Sequence, residues 1–381
     1  MPEYSLSIII PTKNRQTYCI VAIKEILNLK NSDIQIIIQD NSDSDILREE
    51  LELLNNKNLK YHYHPGTLSF VDNFSEAVSL ATGKYICIIG DDDSILPNII
   101  SVTEYANANG YDAIIPGLNA VYCWPMEKPF IKGAENGYLC LSFIKNKLFE
   151  VNLVKGIIQL LEHGGQGYQK FDLVRLYHGI VKKDCIEKVI QLTGKCFDGL
   201  TPDIYISVAL SLVCKKVLRL GYPITISGIC PRSGSSDSAT GRHTGKLEDA
   251  PHFKGHKDYQ WDRKAPAIYS VESIWGETVC HALRNFKQDD YYQKFRVDIL
   301  DAICFSKYPQ FRCEILAHAK QFGYSMTKIK ILSFKYKCFE FLKRVFKKIF
   351  RKRNDVKKYY NIQSISEAAE ICTSQIKNMI E

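Results

Sequence analysis

Ala81-Thr-Gly-Lys-Tyr-Ile-Cys-Ile-Ile-Gly-Asp-Asp-Asp93 is the stretch on which the reading of this chain turns. Gly83 breaks the helical spacing before it, residues 85–89 form an unbroken apolar run of strand length, and a glycine and three carboxylates follow. A strand apolar at every position is one covered on both faces, as in parallel sheets flanked by helices. Working outward, residues 6–10 and 34–39 are two more such runs, the first ended by Pro11 and the second by Asp40-Asn41-Ser42-Asp43. Between them, Tyr18, Val21, Ala22, Ile26 and Leu29 recur at helical spacing, and residues 46–54 and 70–81 also read as helix. Residues 60–64, 114–122 and 224–229 read as strands, and 180–192 and 203–218 as helices. The expected fold is α/β, a mostly parallel, Rossmann-like sheet with helices on both faces, followed by a helical C-terminal region. Such sheets bind ligands beyond the carboxyl ends of their strands. The polar clusters at 11–15, 40–43 and 90–94 all fall there.

Composition narrows the function. Apolar residues make up 45% and charged residues 24%, ordinary for a packed domain. The net charge is +8, and residues 335–353 carry nine Lys or Arg against one Glu. The excess sits in that segment, so a basic domain gripping nucleic acid is not described. Thirteen scattered cysteines without a CxxC pair read as buried thiols in a reducing compartment. The start of the chain shows no secretory leader pattern, and no run is long enough to span a membrane.

Three adjacent carboxylates repel, and a cation relieves that best. Hard oxygen donors after a buried strand suit Mn²⁺ or Mg²⁺ on a diphosphate, where the plainer account is a solvated acidic turn. Asp40 ends another buried strand; it would accept from a base or ribose, or simply close an Asx-turn. His62 and His64 share a strand face but lack further ligands for zinc.

Ser7-Ile-Ile-Ile-Pro-Thr-Lys-Asn-Arg15, Ile36-Ile-Ile-Gln-Asp-Asn-Ser42 and the stretch 81–93 resemble the three successive motifs of the family 2 glycosyltransferases, in order and near the family's spacing. The Gly-Asp-Asp-Asp run with Asp72-Asn73-Phe74 is similar to the abequosyltransferase-like branch that builds bacterial surface polysaccharide. The resemblance implies the GT-A fold and inverting transfer of a sugar from a nucleoside diphosphate to a glycan or polyprenyl-diphosphate-linked acceptor. It implies that Pro11, Thr12, Asn14 and Arg15 line the nucleotide, that Asp40 meets its base, and that Asp91, Asp92 and Asn73 contact the donor. Asp93 would hold the metal, with a late histidine, His243, rivalled by His252 and His256. Arg232 and Arg242 would meet the diphosphate once their loop closes. The Asn73 motif departs from the family by lying farther from Ala81-Thr82-Gly83 than the usual Arg-Asn pair.

The family also places a catalytic carboxylate at a helix start on the acceptor side. Phe197-Asp-Gly-Leu-Thr-Pro-Asp-Ile-Tyr205 fits, with Asp203 as the base and Asp198 as the fallback. Thr201 as cap, Pro202 in the first turn and Asp203 by the positive dipole end also suffice to open a helix without catalysis.

The expected organisation is a catalytic domain over 1–240 (donor side 1–120, acceptor side 121–240), a loop or lid over 231–260, helices over 261–332, and a basic amphipathic helix and tail over 333–381. Phe334, Cys338, Phe341, Leu342, Val345, Phe346 and Ile349 share one face of that helix, opposite Lys and Arg. This is the pattern of a helix lying on anionic lipid, or of one packed on the domain. The expected location is cytoplasmic, peripheral to the inner face of the cell membrane. Two rivals stand beside the transferase. A sugar-1-phosphate nucleotidyltransferase would want a glycine-rich loop where residues 11–15 have no glycine, and a non-catalytic membrane scaffold would not need intact acids at 40, 91, 93 and 203.

Overall fold

Strand β1 (Leu6–Thr12) runs through the main sheet with all seven residues buried. Its neighbours β2 (Ile34–Asp40) and β4 (Tyr85–Ile88) are parallel to it, Leu6 lying opposite Ile34 and Tyr85. Alternate side chains serve opposite faces. Ile9, Ile37, Ile86 and Ile88 enter one core, and Ile8, Ile10, Ile36, Ile38 and Cys87 the other. Both faces being covered, the period of two disappears from the sequence.

A computed structural model describes residues 4–117, 120–127, 129, 133–142, 145–231, 244–247, 259–349 and 356–380. In chain order, β1 is followed by α1 (Gln16–Leu27), β2, α2 (Leu47–Leu54), β3 (Leu59–Tyr63), α3 (Phe70–Ser79), β4, β5 (Ser94–Ile95), α4 (Ile99–Ala108), β6 (Ala113–Ile115), β7 (Ala120–Cys123), β8 (Tyr138–Ser142) and β9 (Leu148–Glu150). Then come α5 (Leu153–Glu162), β10 (Ile180–Lys182), α6 (Lys183–Thr193), α7 (Pro202–Val213), β11 (Val217–Leu220), β12 (Thr225–Ile229), β13 (Thr244–Lys246) and β14 (Ile268–Ser270). The remainder is α8 (Val271–Asn285), α9 (Asp289–Lys294), α10 (Val297–Lys307), α11 (Arg312–Gln321), α12 (Met326–Ile349), β15 (Val356–Tyr360) and α13 (Ile365–Ile380).

The eight-stranded sheet has the order β3-β2-β1-β4-β10-β6-β11-β9. Its β3-β2-β1-β4 half is wholly parallel, while β10 runs antiparallel to both neighbours. A second sheet, β15-β8-β7-β12-β5, stands beside the acid cluster.

Two expected boundaries change. The helices expected over 261–332 are no separate unit: Val279, Leu283, Leu300 and Cys304 share one core with Ile9, Ile86 and Tyr205. Nor is everything past 333 a tail. β15 pairs along the whole of β8, and α13 buries Ile365, Ala368, Cys372 and Ile376 against Tyr122, Leu139 and Leu141. Ser366 Oγ on α13 donates to Glu25 Oε1 on α1 at 2.7 Å, so the end of the chain returns to its beginning. Between these parts, α12 packs Ile329 and Ser333 inward and leaves Phe334, Phe341 and Leu342 exposed. All thirteen cysteines are free.

Candidate active site

Because β1 and β4 are adjacent and parallel, their carboxyl ends bring residues 11–15 and 90–93 together. Thr12 Oγ1 donates to Asp91 Oδ2 at 2.7 Å. Arg15, at the entry to α1, adds Nε on Oδ2 at 3.0 Å and Nη2 on Oδ1 at 2.7 Å. Asp91 is fully buried, and burial pushes its carboxyl up to about 7 while Arg15 and Thr12 pull it down. Arg15 also lies 3.7 Å from Asp92 Oδ2.

The next two acids have different roles. Asp93 accepts from Gly228 N at 2.6 Å on Oδ1, and from Gly90 N at 2.6 Å and Tyr177 Oη at 2.9 Å on Oδ2. It ties the end of β4 to β12 and to the segment 176–178, which bridges alongside Ile88. Two glycines make this closeness possible. A Cβ on Gly90 would stand 2.5 Å from Tyr177 Oη, and one on Gly228 would stand 1.7 Å from the carbonyl oxygen of Asp92. His178 Nε2 is 3.4 Å from Asp93 Oδ2, yet burial pushes the imidazole down to about 3, so it is neutral near pH 7. Asp92 accepts from Cys230 N on Oδ2 at 3.1 Å, and its main-chain oxygen from Trp124 Nε1 at 2.8 Å.

Asp93, assigned the metal by resemblance, has both oxygens occupied inside the protein, while Asp92 accepts from the main-chain N–H of Cys230. Among the described residues no three His, Cys, Asp or Glu side chains form a metal cage. A Mg²⁺-like ion on a diphosphate needs only one or two carboxylates besides phosphate and water, so the donor set fits through Asp92. His243, with Arg232, Arg242, His252 and His256, lies outside the described residues.

Pro11 is buried in β1, opposite Gln39. Asn14, at φ 56°, turns to the second strand end: its N–H donates to Ser42 Oγ at 2.8 Å and its Nδ2 to Asp43 Oδ2 at 2.9 Å. Asp40 is fully buried, accepting from Ser42 N at 2.8 Å and Tyr61 Oη at 3.0 Å; it closes an Asx-turn. Asn73 is buried on α3, its Oδ1 without a partner and with no hydrogen bond to the acids.

Thr201 and Pro202 open α7, but the Thr201 side chain makes no capping bond. Its hydroxyl donates instead to Thr278 Oγ1 on α8 at 3.1 Å. Asp203, in the first turn, accepts from Tyr168 Oη on Oδ2 at 2.6 Å, and burial raises its carboxyl. Asp198 is held differently. Gly199 N reaches Oδ1 at 2.9 Å, Asn285 Nδ2 reaches Oδ2 at 3.0 Å, and His281 Nε2 stands 3.2 Å away. Although burial opposes it, these partners bring Asp198 down to about 2, a poor proton acceptor.

Sequence reasoning missed Tyr168, Tyr177, His178, Gly228 and Cys230. Their contacts with the acids cross 35 to 138 residues and leave no local spacing to read.

Residues 7–151 match the model of Glycosyl transferase family 2. The abequosyltransferase RfbV of Salmonella typhimurium is 33% identical over 104 residues, 26% of this chain and 31% of that protein. The GalNAc(5)-diNAcBac-PP-undecaprenol β-1,3-glucosyltransferase of Campylobacter jejuni is 31% identical over 117 residues, 29% of this chain and 36% of that protein. A putative colanic acid biosynthesis glycosyl transferase, WcaA of Escherichia coli, is 34% identical over 99 residues, 26% of this chain and 36% of that protein. These matches span well under half the length of the curated relatives. Staphylococcus aureus TarS 1–349, crystallised with UDP-GlcNAc, aligns over 87% of this chain and 91% of its own at 14% identity, with a TM-score of 0.47. Over residues 7–151, the chain is similar to the family 2 glycosyltransferases.

Proposed function

We propose that the protein is an inverting glycosyltransferase that moves a sugar from a nucleoside diphosphate to a hydroxyl of a glycan or lipid-linked acceptor in bacterial surface-polysaccharide synthesis. The observation that carries this reading is the cluster of Thr12, Arg15, Asp91 and Asp92 at the carboxyl ends of β1 and β4, inside the family match. Asp91 holds Arg15 and Thr12 beside Asp92 at the donor site, and Arg15 offers positive charge to the departing diphosphate. A divalent cation, Mn²⁺ or Mg²⁺, held through Asp92, would offset the diphosphate's charge. Asp203 takes the proton from the attacking hydroxyl; its raised carboxyl makes it a better acceptor than Asp198. A single displacement at the anomeric carbon inverts it.

Incubation with UDP-, GDP-, dTDP- and CDP-linked sugars plus Mn²⁺ tests the reading through slow release of nucleoside diphosphate. No release from any of them would count against it.

Phe334, Phe341 and Leu342 on α12 are 67%, 65% and 51% exposed, in the segment that holds the chain's excess of Lys and Arg. Among the described residues no helix is long and apolar enough to cross a membrane. We infer that this face rests on an anionic membrane surface at the inner face of the cell membrane, where lipid-linked acceptors are met.

A further inference from the structure

We propose that Tyr168 is a positioning residue for Asp203, and that α8 and α10, outside the family match, set it in place. This rests on reading Asp203 as the base. An acid in the first turn of a helix is ordinarily satisfied by the helix's own N–H groups and by water. Here the phenol of Tyr168 donates to Asp203 Oδ2 at 2.6 Å, the short distance of a hydroxyl bound to a charged carboxylate. Such a bond fixes the carboxylate's rotamer and favours its ionised form, so the base is aimed before the acceptor arrives.

The placement of Tyr168 is traceable residue by residue. Gly164, Gly165 and Gly167 have φ of 61°, 78° and 73°, conformations that glycine adopts without strain. Their lack of side chains lets the loop press on the helical layer. A Cβ on Gly165 would lie 2.8 Å from Gly276 Cα on α8, and one on Gly164 would lie 2.8 Å from Leu300 N on α10. Gln166 Nε2 donates to the carbonyl of Glu272 at 2.9 Å. The chain then makes one 3₁₀ turn, and the ring of Tyr168 meets Trp275 edge to face with centroids 5.7 Å apart. The Gly164-Gly165-Gln166-Gly167 run, otherwise unexplained, is thus the hinge that carries a hydroxyl from the helical layer to the acid. Burial raises the Tyr168 phenol well above its usual range, so it stays a donor at working pH. Gln169 Nε2 also donates to the phenol oxygen at 3.3 Å, and the buried Arg175 is the charged group that reaches this pair from the stretch before β10.

Tyr168→Phe keeps the ring against Trp275 and removes only the hydroxyl. In protein carrying ¹³C-labelled aspartate carboxyls, with the Asp203 signal assigned by its loss in Asp203→Asn, the Asp203 titration should move up by roughly one pH unit in Tyr168→Phe. Release of nucleoside diphosphate from the donor that the panel identifies should fall roughly ten- to a hundredfold in kcat, with donor KM unchanged. The acidic limb of the rate profile should shift upward with the titration. Trp275→Phe, which keeps the hydroxyl but loosens its support, should give a smaller kcat loss with the same donor KM. An unmoved Asp203 titration in Tyr168→Phe overturns the proposal, as does full kcat in Tyr168→Phe when Asp203→Asn is inactive. Full activity in Asp203→Asn overturns instead the reading of Asp203 as the base.

Discussion

Arg15 and Asp91, 76 residues apart, are joined by two nitrogens on two oxygens, at 3.0 and 2.7 Å. The pair locks the first turn of α1 onto the end of β4, and its fork geometry is one that lysine does not reproduce. Arg15→Lys should lower stability by about 1.5–3 kcal/mol, the range for hydrogen bonds to charged groups, and should weaken nucleoside diphosphate binding. Urea unfolding and nucleotide titration measure both. Unchanged values in the lysine variant would mean that the fork is not needed.

Asp92 and Asp93 should separate cleanly. Asp92→Asn should fold normally and lose the Mn²⁺-dependent part of nucleoside diphosphate affinity. Asp93→Asn turns an amide N–H₂ towards donors at Gly90, Gly228 or Tyr177, and should cost about 1–3 kcal/mol of stability as an unsatisfied buried group. Thermal unfolding, and binding with and without EDTA, distinguish the two. Affinity that ignores EDTA in the unmutated protein would contradict a cation at Asp92.

Much of the donor half was legible because β1, β2 and β4 are covered on both faces, leaving unbroken apolar runs that end in polar clusters. The return of the chain was not. β15 reads Val-Lys-Lys-Tyr-Tyr, with Lys357 and Lys358 exposed along a sheet edge, and so resembles a basic tail. The anchoring of Asp93 was hidden for a related reason. Three of its four anchors, Tyr177, His178 and Gly228, sit 84 to 135 residues away, and no local pattern marks a carboxylate already satisfied by the fold. Asp203 was legible as a helix-opening acid; its tyrosine partner was not.

That return alters what truncation should do. A chain ending at Leu332 loses β15 and α13 and uncovers Tyr122, Leu139 and Leu141, so it should be destabilised or aggregate. The cleaner test of membrane docking is the triple variant Phe334→Ser, Phe341→Ser, Leu342→Ser. It should keep its unfolding temperature and lose sedimentation with anionic vesicles at low salt, while the unmutated protein is released as salt rises. Equal sedimentation of the two would assign binding elsewhere.

Glu277 on α8 supplies a pH dependence. It is fully buried, Tyr259 Oη donates to its Oε1 at 2.6 Å, and burial pushes its carboxyl up from 4.5 to about 7. Between these values the folded state binds more protons than the unfolded chain, so stability falls as pH rises through about 4.5 to 7. Glu277→Gln should flatten that fall and gain on the order of 1–3 kcal/mol at pH 8 relative to the unmutated protein. Urea unfolding at pH 5 and pH 8 checks the sign, and a steeper fall in the glutamine variant would refute it.

Asp203, as general base in a sugar transfer from a nucleoside diphosphate, is the residue on which the proposed chemistry depends most. The direct measurement is turnover of the donor found by the nucleotide-sugar panel, for the unmutated protein and Asp203→Asn side by side, with donor affinity measured in both. Asp203→Asn should lose at least about 10²–10⁴-fold in kcat with nearly unchanged donor binding, and the unmutated protein should give a product of inverted anomeric configuration. Near-normal turnover in Asp203→Asn, or a retained anomer, would contradict it.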